Sequence, residues 1–125
     1  MRDLTDVLLE FGEVPERMVR GTLLGLTSRI IKRSPVDTGR FRNNWQATVN
    51  SPASGLKTGV DKTGEGAVAE ARTAVNRLEM GQDFYLSNNL PYAQRLEFGW
   101  SQQAPNGMLR LSIAELQARM NEAGG

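Results

Sequence analysis

Four apolar side chains at helical spacing, Val19, Leu23, Leu26 and Ile30, are followed at once by Ser34-Pro35, and this pattern constrains the fold more than any other. Residues that recur every three or four positions line one face of a helix. Met18, Leu24 and Ile31 widen the stripe. Pro15 suits a first helical turn, where its missing N–H costs nothing. The residue before a proline is pushed out of the α region, so the helix must stop before Pro35. The spacing therefore predicts one long helix over 15–33. Gly21 and Gly25 fall inside it, each costing about 1 kcal/mol against alanine. A helix with one apolar face has to be covered, and the rest of the chain must supply the cover.

Shorter signals flank that helix. Leu4, Val7, Leu8 and Phe11 predict a short helix over 3–11, closed by Gly12. After Pro35, Asp37-Thr38-Gly39 supplies turn chemistry, including a glycine free to take positive φ. Phe41, Asn43, Trp45, Ala47 and Val49 then alternate with Arg42, Asn44, Gln46 and Thr48, which is strand periodicity. Residues 51–66, "SPASGLKTGVDKTGEG", read as a long mobile loop or hairpin with room for a short strand near 56–60. A second helix carries Val68, Ala71, Val75 and Leu78 and ends at Met80-Gly81. "DFYLSNN" predicts a strand, "PYAQRLEFG" a helical turn or two, and Pro105-Asn106-Gly107 another turn. A last helix carries Leu109, Ile113, Leu116 and Met120. The sum is one α+β domain, 1–125: a small antiparallel sheet packed against one long helix, with short N-terminal, middle and C-terminal helices.

Composition removes much chemistry. The chain has no cysteine and no histidine, which excludes disulfides, thiolate catalysis, Cys/His zinc sites and any imidazole base. No apolar run approaches the roughly 20 residues of a membrane-spanning helix. The acidic N-terminus lacks a signal peptide's charge order and cleavage site, so the chain reads as made and used in a cytoplasm.

The net charge of +1 hides a segregation. Asp3, Asp6, Glu10, Glu13 and Glu16 face only Arg2 in the first sixteen positions. Arg17, Arg20, Arg29, Lys32, Arg33, Arg40 and Arg42 face only Asp37 in the next block. Such a split suits contact between chains or with nucleic acid, or two solvated helix faces.

Asp37-Thr38-Gly39 also has the form of an aspartic-protease signature. Such a site needs two carboxylates that share a proton. Here Arg40 follows the glycine, and a guanidinium beside the dyad would hold both carboxylates ionised. A helix precedes the motif, and no second signature follows. The residues favour a helix-to-strand turn with Asp37 accepting local backbone N–H groups. The acids Asp61, Glu65, Glu70, Asp83 and Glu97 are scattered, without calcium-loop spacing, so no metal is expected. The aromatics follow no RNA-recognition or single-strand-binding pattern. Tyr92, Phe98 and Trp100 crowd a stretch of turns, as residues do that either close a core or make an interface.

Two blocks carry a resemblance. "SPVDTGRFRNNW", followed some way on by "FYLSNNLPYAQRLEFGWSQQAPNGML", resembles the neck and tail-completion proteins of lambda-like tailed bacteriophages, over about residues 15–118. In that family a helix ends in a Ser/Thr-Pro-Val-Asp-Thr-Gly-Arg run before a strand with Trp. A later strand leads through Pro-Tyr-Ala to Leu-Glu-Phe/Tyr-Gly. Trp100 departs from the small or hydroxylated residue usual there.

The resemblance implies a non-enzymatic virion subunit of the neck, without cofactor, assembled in a bacterial cytoplasm. It would form a cyclic ring with itself, of six or twelve copies. Its partners would be a head connector or head-closure protein on one side and a tail terminator or tail tube protein on the other. Phage DNA would pass in non-specific contact, and no membrane is involved. Mobile loops such as 51–66 would order on contact with a neighbour. Residues 1–13 serve as an inter-subunit arm in this reading. Leu8, Phe11, Arg40, Arg42, Tyr92, Phe98 and Trp100 are the predicted contact residues. The rival reading is a small DNA-associated protein that lays its basic 17–42 segment on phosphate.

Overall fold

The computed structural model describes residues 16–79, 81–98, 103 and 107–124. The helix expected over 3–11, with Leu8 and Phe11, lies outside the described residues, as do Trp100, Pro105 and Asn106.

The long helix α1 runs Glu16–Arg33 and spans about 27 Å at 1.5 Å per residue. It buries Val19, Leu23, Leu26, Ile30 and Ile31. Met18 does not widen the stripe; it is exposed. Two apolar clusters share this helix. Val19 and Leu23 meet Val75 and Leu78, with Val49 and Phe84 against them. Leu26, Ile30 and Ile31 meet Phe41, Trp45, Val68, Leu90 and Met108, among others. Each fully buried aliphatic side chain contributes about 1.5–3 kcal/mol, so the stripe is the main stabilising surface of the fold.

After the turn at 34–39 the chain departs from the expected strand. Residues expected to begin a strand form a short helix instead, α2, Arg40–Asn43. The strand β1 starts only at Trp45 and runs to Val49. Asn44 N–H closes α2 onto the Phe41 carbonyl at 3.0 Å. No strand forms near 56–60 either: residues 50–64 contain neither helix nor strand.

The helix α3, Glu65–Arg77, buries Ala67, Val68, Ala71, Ala74 and Val75 and packs on both α1 and β1. Strand β2, Phe84–Asn88, pairs antiparallel with β1, Trp45 opposite Asn88 and Val49 opposite Phe84. Short α4, Ala93–Glu97, and then α5, Leu109–Gly124, complete the order; α5 packs along α1. The architecture is α+β: a two-stranded antiparallel sheet laid on a long helix and its helical neighbours.

Candidate functional site

Most of the polar side chains between Ser34 and Trp45 are spent on architecture. Ser34 Oγ donates to the Ile30 carbonyl at 2.8 Å and accepts the Trp45 indole N–H at 2.7 Å. Trp45 is 1% exposed, so its one polar atom needs that partner. Arg42 reaches back over the end of α1. Its guanidinium donates to Ser34 O at 2.9 Å and Lys32 O at 2.8 Å, and to Lys62 O at 2.7 Å. The last carbonyls of a helix have no partner within it, and a cation there also suits the helix dipole. Arg42, a predicted contact residue, is thereby committed to its own chain.

Gly39 takes φ +93°, as the turn requires, and its carbonyl accepts the Asp61 N–H at 3.0 Å. A Cβ there would stand 2.7 Å from Lys62 N, so no other residue fits. The expected role of Asp37 needs correction. Its carboxylate is exposed and bonds to none of the described residues; Thr38 Oγ1 accepts the Arg40 N–H at 3.2 Å.

The capping carboxylate is Asp61. The N-cap of α3 is Gly64, which has no side chain to offer. Asp61 Oδ1 accepts from Gly64 N–H at 3.0 Å and from the Thr63 hydroxyl at 2.9 Å, while Oδ2 accepts from Gly66 N–H at 2.8 Å. Partial burial pushes the Asp61 carboxyl up, but these bonds, with one from Ala67, outweigh it and hold it below its ordinary value.

The 51–66 segment runs back beside residues 43–46, held by side chains rather than by a ladder. Asn43 donates to Thr58 O at 3.0 Å, Gln46 to Gly55 O at 2.8 Å, and Lys57 N–H to Asn44 Oδ1 at 2.8 Å. Asn89 donates to Ala53 O and Gly55 O. Leu56 and Val60 stay exposed.

The two sequence blocks meet. Asn88 Nδ2 donates to Phe41 O at 3.0 Å, and the Phe41 and Tyr92 rings lie 6.0 Å apart. The Gln103 amide both accepts from Val36 N–H at 2.8 Å and donates to Val36 O at 2.9 Å. Between them opens a groove of about 530 Å³, floored by Pro35, Val36, Phe41, Tyr92 and Leu96 and edged by Asp37, Thr38 and Arg40. Of the predicted contact residues, Arg40 and Tyr92 come together here, and Phe98 is exposed elsewhere.

The basic segment is not a free stripe. Arg20 is bound to Glu16 and to the Val75 and Leu78 carbonyls at the end of α3. Lys32 pairs with Glu65, and Arg33 makes a forked pair with Glu115 plus a bond to Ser112. With Arg42 committed as above, Arg17, Arg29 and Arg40 are left without a partner among the described residues. Arg17 and Arg29 are separated by about 18 Å along α1 and about 120° around it. They lie on different faces of the helix.

One important residue went unread. Glu97 is fully buried, and Oε1 accepts from Met108 N–H at 2.9 Å and Leu109 N–H at 2.8 Å, which fixes the start of α5. Gly107, at φ +81°, lies against Glu97 so closely that a Cβ would clash with it. The only signal was a carboxylate set between Leu96 and Phe98 in an aromatic stretch.

Among the described residues no group of His, Cys, Asp and Glu could hold a metal ion, and no helix is long and apolar enough to cross a membrane. Comparisons with models of protein families, with curated proteins and with solved structures gave no match.

Proposed function

We propose that this chain is a structural subunit of the neck of a lambda-like tailed phage, completing the tail and joining it to the head connector as a ring of identical subunits. One observation supports the reading most. The two blocks that carry the resemblance are not separate short strings but one folded unit, joined by Asn88 to Phe41, Phe41 to Tyr92 and Gln103 to Val36. Motifs that are far apart in sequence pack together here, as parts of one working unit would.

In this reading the groove edged by Arg40 faces a neighbouring ring protein, a connector or head-closure protein above or a tail terminator or tube protein below. Heterologous contacts close the ring. The acidic 1–16 segment meets the next subunit near Arg17, Arg29 and Arg40, the cations still available. Exposed pairs add only about 0–1 kcal/mol each, so apolar residues such as Leu8 and Phe11 carry most of the affinity. Disrupting the gene in the phage that encodes it should yield full heads and tails that stay separate under the electron microscope. Purified protein added to that lysate should restore joined particles, and protein lacking residues 1–12 should not. Normal infectious particles formed without the chain would overturn the proposal.

A further inference from the structure

The backbone of the sheet can be accounted for bond by bond. Asn50 N–H donates to Asp83 O, which continues the β1–β2 register one step past Val49 and Phe84. In an antiparallel pair, opposed residues alternate between exchanging both bonds and exchanging none. Asn50 with Asp83, Thr48 with Tyr85 and Gln46 with Ser87 are therefore the bonded pairs. The N–H and C=O groups of Phe84 and Leu86 point the other way, off the outer edge of β2. No described residue answers them there.

The two edges of the sheet differ. α3 lies against β1, and residues 53–58 run beside its first half. Among the described residues, β1 is the only element with which β2 makes extensive contact. Phe84, Tyr85 and Leu86 are all only partly buried, although they are the most apolar run of the strand. Natural edge strands are usually guarded by a lysine, a proline, a bulge or a covering element. "FYLSN" has no charge, no proline and no bulge. A two-stranded sheet is also marginal alone and gains from a third strand.

We infer that the outer edge of β2 is an interaction surface that takes β2 of a second copy of this chain, antiparallel and centred on Tyr85. Centring there brings Phe84 opposite Leu86 of the second copy, and the reverse, so that both pairs exchange the two bonds now unmade. Tyr85 then meets Tyr85 of the second copy as a non-bonded pair, with side chains close together on the face away from the core. Phe84 and Leu86 pack inward, so Tyr85 points outward. The flanking residues agree with a self-pairing. Asp83 falls opposite Ser87 of the second copy, and no like charges are opposed. The contact is isologous. It is distinct from the head-to-tail contact that would close a ring, and it stands whether or not the chain belongs to a phage neck.

The test uses the whole chain. Sedimentation equilibrium from micromolar to submillimolar concentration should show a dimer of the unmodified protein. Tyr85→Lys sets two like charges face to face without touching the core and should raise the dissociation constant at least about tenfold. The chain has no cysteine, so Tyr85→Cys carries a single thiol. Non-bonded antiparallel pairs hold Cα atoms about 4.5 Å apart, within disulfide range. Mild oxidation should cross-link Tyr85→Cys rapidly and the exposed control Val60→Cys slowly. Amide exchange at Phe84 and Leu86 should slow as concentration rises, while Tyr85 N–H, already bonded to Thr48, should not respond. A protein that stays monomeric throughout, or cross-linking no faster at 85 than at 60, would overturn the inference.

Discussion

Residues 34–45 and residues 84–88 meet at one backbone pairing, Trp45 with Asn88, yet they treat their polar groups in opposite ways. In the first region Ser34, Arg42, Asn44 and Trp45 all have internal partners, and a helix end, a loop and an indole are tied together within a few ångströms. In the second, one edge of the strand has backbone groups that no described residue answers. The stretch that looks like an active-site motif is where the architecture is concentrated. The plain strand is where the fold is left open to a partner. Motif-like strings in a small domain need a structural reading before a chemical one.

Removing the centre of the tied region should have the largest effect on the fold. Trp45→Ala should lower stability by about 3–5 kcal/mol, since it empties a buried site and strips Ser34 of a partner. Leu26→Ala or Leu23→Ala should cost about 2–5 kcal/mol. Thermal unfolding reads all three, and an unchanged Tm in Trp45→Ala would show that the turn is not the hub. Arg42→Ala should cost less, about 2 kcal/mol, because water reaches part of the freed carbonyls. Arg42→Lys should recover little of that, as an ammonium cannot reach three carbonyls in a planar fork. Full recovery by lysine would mean that charge alone matters there.

Asp61 gives a smaller effect with a definite sign. Its carboxyl titrates lower in the folded chain than in the unfolded one, so its contribution is complete above the unfolded value. That contribution is lost as pH falls below about 4 and through the folded value. Below that pH the Tm of the unmodified protein should fall more steeply than that of Asp61→Ala. Parallel curves would remove Asp61 from its role as the cap of α3.

Much of this was legible in the residues, and the failures have physical causes. α1 and α3 follow from their stripes, and Gly39 from its turn. The false strand at 41–44 came from a degeneracy. Phe41 and Trp45 are four apart, and residues four apart share a side in a strand and nearly so in a helix. Asn43 was the discriminating position: a strand would turn it inward, whereas it bonds outward to the Thr58 carbonyl. The cap by Asp61 is local to α3, but it sits three residues ahead of the N-cap glycine instead of at the N-cap itself. The caps by Arg20 and Arg42 could not be read, because each serves a helix whose end only the tertiary fold brings within reach. Glu97 is hidden for the same reason, since its partners at 108 and 109 are neighbours only in space. In the groove, Arg40 and Tyr92 were readable, but Gln103 was not, because its amide mimics a backbone partner.

The smallest expected effect tests the central claim, that this chain works through its surfaces and that Asp37-Thr38-Gly39 is a turn. Asp37→Asn should unfold at the same temperature as the unmodified protein. Added to a lysate of phage lacking the chain, it should restore joined head–tail particles to the same titre. The contradicting result is a folded Asp37→Asn that joins nothing, together with cleavage of peptides by the unmodified protein between about pH 4 and 6, where carboxylate dyads share a proton.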